Sequence, residues 1–160
     1  QSYAELLTDA QNFFSEHENN FYPYFAQILP ELQKTHAVFL VTTNVQFVAE
    51  AVVRKYGLQG YISTELEIVD GILTGKVARS LANGKEMVRD LLDTYGRKDS
   101  LAVGDSANDI SMLELVDNPL CINPDAELRA HAEKNGWKIF SDGEAKGMLR
   151  KSVLFNDKSS

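Results

Sequence analysis

Apolar positions along the chain switch between helical spacing and short unbroken runs. Leu6, Leu7, Ala10, Phe13 and Phe14 recur at the interval that lines one helix face, which predicts a helix over 3–15. Ser15 to Asn20 is polar and reads as a loop. Helical spacing returns from about Tyr22-Pro23 with Phe25, Ile28, Leu29 and Leu32. Pro23 suits a first turn, whereas Pro30 is expected to kink or shorten the helix. Phe21, Tyr22, Tyr24 and Phe25 are expected to pack against the core rather than bind a ligand. His36 to Val41 is then a continuous run, as in a strand buried on both faces. Thr42-Thr43-Asn44 ends that strand and caps a helix over Val45 to Tyr56, which Gly57 stops. Residues 23 to 57 therefore read as a helix-strand-helix unit of an α/β protein.

The segment 61–77 has a different rhythm. Tyr61 and Ile62 suggest a short strand. Glu65 to Val69 alternates, Asp70-Gly71 is a hairpin signal, and Ile72 to Val77 returns, which predicts a small antiparallel flap. Asn83-Gly84 marks a turn, and Lys85 to Tyr95 a helix with Met87, Val88, Leu91 and Leu92 inward. Strands are expected at 100–103, 119–122 and 137–140. Helices are expected at Ala107 to Val116, at Ala126 to Lys134 and, in the tail, at Glu144 to Lys151. Repeated strand-helix alternation implies an α/β fold, a three-layer Rossmann-like parallel sheet carrying the flap.

Composition narrows the class. With 160 residues, 44% hydrophobic and 24% charged, the chain can bury a core as one domain with a small attachment. A net charge of -7 speaks against a nucleic acid or an anionic membrane as partner. No apolar run is long enough to span a bilayer. The single cysteine, Cys121, sits in an apolar run, is expected to be a buried thiol, and fits a reducing, cytoplasmic setting. His17, His36 and His131 lack metal-ligand spacing and read as structural or surface residues.

The chemistry concentrates in Leu101-Ala-Val-Gly-Asp-Ser-Ala-Asn-Asp-Ile-Ser-Met112. A buried strand ends at Val103, Gly104 is read as letting the backbone turn sharply, and Asp105 stands at the strand's exit. Asp109 follows in the first turn of the next helix, so both carboxylates are expected to converge beyond the strand's carboxyl end. Ligands collect there in open α/β sheets. With Ser106 and Asn108 they make an all-oxygen cluster suited to Mg²⁺. Helix capping by the same Asp and Asn residues is the ordinary alternative. Thr42 also stands at a strand's carboxyl end, where its hydroxyl can hold a phosphate oxygen or, with Asn44, cap a helix. Lys85 opens an amphipathic helix, and on composition alone a surface lysine is its ordinary reading.

Gly104-Asp105-Ser106-x-Asn108-Asp109-x-x-x-Met112 resembles the fourth, acidic motif of the haloacid dehalogenase superfamily, in its phosphoserine phosphatase-like branch. Phe39-Leu-Val-Thr42 is similar to the second motif, and Lys85, about twenty residues before the acidic motif, to the lysine of the third; Lys76 and Arg79 are alternatives. Val69 to Gly75 and Asn123-Pro-Asp125 also look like this branch, so the likeness runs from about residue 22 to 140. It implies a Mg²⁺-dependent phosphatase core acting on a small phosphorylated metabolite. Lys85, Asp105 and Asp109 would be catalytic, Asp105 and Asp109 would also hold the metal, and Thr42, Thr43, Lys85 and Asn108 would hold phosphate. Phosphoserine phosphatases usually follow the threonine with paired glycines and phenylalanine; Thr43-Asn44-Val45 stands here, which leaves the substrate open.

The first motif, Asp-x-Asp-x-Thr, whose first Asp is the nucleophile, does not occur in residues 1–160; Asp70-Gly-Ile-Leu-Thr74 lacks the second Asp. The resemblance then implies a C-terminal part, its central first strand and most of its cap missing, with residues 1–20 a cap remnant, 21–142 the core and 143–160 a tail. An N-terminal fragment or a second copy is expected to complete the sheet. A catalytically inactive binding or regulatory module without the nucleophile is the alternative.

Overall fold

The computed structural model describes residues 1–17, 23–81 and 84–154. These fall into two compact units, one drawn from Gln1–Phe21 and Gln33–Met87, the other from Tyr22–Leu32 and Val88–Ser160. The expected Asn83-Gly84 turn, the packing of Phe21, Tyr22 and Tyr24, and the end of the tail lie outside the described residues.

The first unit opens with α1, Tyr3–Glu16. Ser2 accepts from the Glu5 amide and Glu5 accepts from the Ser2 amide, a reciprocal cap at the helix start. Leu7 and Phe14 are buried with Ala51 of α3, Gln46–Tyr56, and Tyr3, Ala10, Phe47 and Val48 pack around them. Each such large apolar side chain contributes roughly 1.5–3 kcal/mol by leaving water. The sheet holds β1 (Phe39–Val45), β2 (Gly60–Val69) and β3 (Ile72–Arg79) in that order, the first pair parallel and the second antiparallel. Gly57 ends α3 in the left-handed conformation, as its position predicts. Asp70 and Gly71 both take positive φ, the backbone a tight two-residue hairpin demands.

Two expectations are corrected in β1. The strand does not stop at Val41, because Val45 still pairs with Thr64. Thr42, Thr43 and Asn44 therefore face Ser63 alone across a bulge and do not cap α3, whose N-cap is Val45 with no side-chain bond. Nor is the strand buried on both faces. Phe39, Leu40 and Val41 are only half-buried, since among the described residues β1 pairs on one edge only. The predicted fragments at 61–62 and 65–69 are one strand, β2, whose first half joins β1 and second half β3. At the handover, buried Gln46 donates to the Leu66 carbonyl and accepts from the Leu66 amide, both at 2.9 Å.

The second unit contains α2, Pro23–Leu32, whose Ile28, Leu29 and Leu32 are buried. Pro30 lies inside this helix, but so near its end that the helix runs on to Leu32. Helix α4, Gly84–Tyr95, gives Gly84–Met87 to the first unit and continues in the second. Then follow β4 (Leu101–Gly104), a 3₁₀ turn (Ala107–Asp109), α5 (Ile110–Leu113), β5 (Asn118–Ile122), α6 (Ala126–Asn135), β6 (Lys138–Phe140) and α7 (Asp142–Leu154). Strands β4, β5 and β6 form a parallel sheet in sequence order. Ala102, Leu113, Cys121, Leu128 and Ala132 form its core, with Trp137 and Ile139 against it. The Cys121 thiol is free and buried, as its apolar setting predicts. Arg150 of α7 and Glu31 of α2 form an ion pair at 2.5 Å.

The α/β character is thus present as one mixed and one parallel three-stranded sheet. Among the described residues no helix is long and apolar enough to cross a membrane.

Candidate active site

The acidic loop begins where β4 ends. Ala102 and Gly104 are buried, and the pairing of Gly104 with Cys121 fixes where the strand stops. Asp105 is the next residue and is exposed. The chain turns once through Ala107–Asp109, which brings the Asp109 carboxylate back over the start of the loop. Its Oδ2 accepts from the amides of Asp105, at 2.9 Å, and Ser106, at 3.2 Å. One oxygen thus satisfies two donors that otherwise lack helical partners. Asp105 thus stands at the strand exit with its backbone amide held by the Asp109 carboxylate.

Gly104 acts differently from the sharp turn read into the sequence. Its φ is not in the positive range. A Cβ there would lie 2.6 Å from the Asp109 Cβ and 2.8 Å from its Oδ2. Glycine at 104 makes room for the Asp109 side chain.

A further carboxylate secures the loop from the other side. Asp125, between β5 and α6, accepts from the Leu128 amide through Oδ1 at 2.8 Å and from the Ala107 amide through Oδ2 at 2.9 Å. Its own amide donates to the Asp105 carbonyl at 2.9 Å. The Leu128 amide first, then that of Ala107, holds its carboxyl below the usual range. Sequence reasoning placed Asp125 at the opening of α6 but missed the second bond. The spacing Asn123-Pro-Asp125 was the available signal. Asn123 takes a φ of 45°, the left-handed turn through which the chain leaves β5. Nearby, burial first and the Asp109 charge second raise the Cys121 thiol pKa, so this group stays protonated and inert.

Asp105 and Asp109 offer hard oxygen donors. Among the described residues no cluster of three His, Cys, Asp or Glu side chains is positioned to hold a metal. Two carboxylates suffice for Mg²⁺, which takes few protein ligands and keeps water and substrate oxygens for the rest. The donor set fits that ion. Asn108 is exposed in the same loop.

The remaining predicted residues belong to the first unit. Thr42 is half-buried in the bulge of β1, and its Oγ1 accepts from both the backbone and side-chain nitrogens of Asn44 at 3.2 Å. Thr43 beside it is exposed. Lys85 is the second residue of α4 and half-buried. Of the two alternatives on β3, Arg79 is engaged by Glu65 and Lys76 is exposed. The histidines behave as structural groups: His17 bonds the Phe13 carbonyl, His36 bonds Thr35, and His131 lies beside Trp137 and Glu114.

The profile of the haloacid dehalogenase-like hydrolases matches residues 1–114, so the chain belongs to that family. It is 40% identical over 107 residues to a putative hydrolase of Mycobacterium leprae, covering 64% of this chain and 36% of that protein. It is 39% identical over 107 residues to the phosphoserine phosphatase SerB1 of Mycobacterium tuberculosis, covering 64% of this chain and 35% of that one. The aligned part is thus little more than a third of these relatives' length. Among solved structures, a Bordetella pertussis protein of unknown function superposes with a TM-score of 0.73 at 24% identity, over 89% of this chain and 68% of that one. A phospho-aspartyl intermediate analogue of phosphoserine phosphatase superposes with a TM-score of 0.58 at 25% identity, over 73% and 56% of the two chains.

Proposed function

We propose that this chain carries most of the active-site groups of a Mg²⁺-dependent phosphatase for a small phosphomonoester. The observation that carries the reading is the acidic loop: Asp105 exposed at the end of β4, with the Asp109 carboxylate clamped onto its amide. That construction holds two hard ligands in a fixed relation. Bound Mg²⁺ would supply charge neutralisation for phosphoryl oxygens. Asp105 would hold the ion. Asp109 would serve it through water, or orient Lys85, and keeps the loop closed. Thr42, Thr43 and Lys85 hold phosphoryl oxygens by hydrogen bond and charge, and Asn108 adds an amide donor. The Thr42 hydroxyl proton is free to point at such an oxygen, because the Asn44 nitrogens donate to its lone pairs.

The acceptor of the phosphoryl group is an Asp outside residues 1–160, since no Asp-x-Asp occurs within them. A phospho-aspartyl state, named for the structural relative above, supports that route. Transfer to that Asp and then to water completes the cycle. The half-buried apolar residues of β1, which pairs on one edge only among the described residues, support a further strand from outside residues 1–160 pairing with it. In the same reading 1–20 remains from a helical cap, 21–142 is the core and 143–160 a tail.

The test is hydrolysis of p-nitrophenyl phosphate with and without Mg²⁺, by residues 1–160 and by the full gene product. Turnover by the full product alone agrees with the reading. Turnover by neither favours a binding module lacking the nucleophile, and turnover by residues 1–160 alone refutes the placement of the acceptor.

A further inference from the structure

We infer that Asp125 is a positioning residue for the metal-binding loop, not only the N-cap of α6. The inference rests on the phosphatase reading above and adds a residue to that site. An N-cap needs one side-chain acceptor, and Asp125 meets that need with Oδ1 on the Leu128 amide at 2.8 Å. Its second oxygen serves another element. Oδ2 accepts from the Ala107 amide at 2.9 Å, the first residue of the 3₁₀ turn that returns Asp109 to the loop. The Asp125 amide holds the Asp105 carbonyl at 2.9 Å. Asp125 therefore grips the peptide units on both sides of Ser106, while Asp109 grips the amides of Asp105 and Ser106. Between them Asp109, through its carboxylate, and Asp125, through its carboxylate and its amide, leave the Asp105 backbone little freedom to rotate. The direction of the Asp105 side chain is set by that backbone. Outer groups that orient a metal ligand in this way typically change metal affinity or activity about ten- to a hundredfold when removed.

The two jobs of Asp125 separate cleanly. Serine is a good N-cap, so Asp125→Ser keeps a bond to Leu128 and gives up the one to Ala107. Ala107→Pro removes the same bond from the donor side. It occupies the first position of a helical turn, where proline is favoured. Ser106 before it is extended, with φ -134° and ψ 163°, as a residue preceding proline must be.

In the full gene product, Mg²⁺ binding is measured by calorimetry beside the Mg²⁺ dependence of phosphomonoester hydrolysis and the thermal midpoint. Amide exchange of residues 105–109 is followed in parallel. Each single variant is expected to bind Mg²⁺ about tenfold more weakly and to exchange these amides faster, with a nearly unchanged thermal midpoint. The double variant is expected to be no worse than the poorer single one, because both remove one bond. Unchanged Mg²⁺ affinity and exchange in Asp125→Ser, in a protein whose wild type binds Mg²⁺ and turns over, overturn the inference and leave the phosphatase reading standing. A wild type that neither binds Mg²⁺ nor turns over removes that reading, and the inference falls with it.

Discussion

Gly104 and Asp109 are packed so closely that a Cβ on Gly104 would stand 2.6 Å from the Cβ of Asp109. The end of β4 and the returning carboxylate thus form one assembly, and its tolerance for change is small. Gly104→Ala forces either the strand end or the Asp109 side chain to move. The expected cost is about 1–3 kcal/mol of stability, as for other overpacked sites. On the proposed reading, in which Asp109 serves the metal, catalytic loss should exceed what that destabilisation explains. Urea unfolding and phosphatase assays on the same preparation check both parts.

Asp109 has two roles that different substitutions divide. Asp109→Ala leaves the amides of Asp105 and Ser106 without their acceptor. The expected loss is about 1–2 kcal/mol, together with activity. Asp109→Asn keeps one acceptor oxygen for those amides and removes the charge. It should retain near-normal stability while still losing most Mg²⁺-dependent turnover. Denaturation midpoints read beside Mg²⁺ titrations of activity distinguish the pair.

The handover in β2 depends on a single side chain. Gln46 is 6% exposed and replaces a missing strand partner for both polar groups of Leu66. Gln46→Leu orphans a donor and an acceptor in a buried place. A loss of about 2–4 kcal/mol is expected, read as a lower denaturant midpoint with little change in slope.

Alkaline pH should loosen α1 before it affects the acidic loop. Burial first, then the bond to Glu50, raises the Tyr3 pKa; burial first, then the Glu50 charge, raises that of Tyr61. Both are neutral in the folded chain where free tyrosines ionise, near pH ~10. The stability they contribute is therefore fully present below that pH and is lost as pH climbs above it. Ultraviolet titration should show these two tyrosines ionising late, together with the loss of helix signal. Tyr3→Phe should remove one late-ionising group.

Much of this was legible in the sequence because the local signals are strong. The period of the apolar residues marks α1, α3, α4 and α6. Asp70-Gly71 marks the hairpin, and Gly57 and Gly136 mark two helix ends in the left-handed conformation. The acidic loop was legible because its residues are contiguous. What escaped depends on partners distant in the chain. Thr42 to Asn44 looked like a helix cap since such residues usually are, yet the pairing of Val45 with Thr64 draws them into a bulge. His36 to Val41 read as a strand buried on both faces from apolarity alone, whereas burial depends on which strands flank it. Gly104 read as a turn residue because glycine often is one, but the close approach of Asp109 is a fact of three dimensions. Asp125 is placed by the sequence only at the opening of α6, and its bonds to Leu128 and Ala107 emerge in three dimensions.

The most direct measurement is the Mg²⁺ requirement of phosphomonoester hydrolysis by the full gene product, with Asp105→Asn beside the wild type. The wild type should turn over only with Mg²⁺ and lose activity to a chelator. Asp105→Asn should fall by about a hundredfold or more at equal Mg²⁺ while keeping the wild-type fold by circular dichroism. Hydrolysis that is indifferent to Mg²⁺, or an Asp105→Asn protein as active as the wild type, would contradict the assignment of the acidic loop as the metal site.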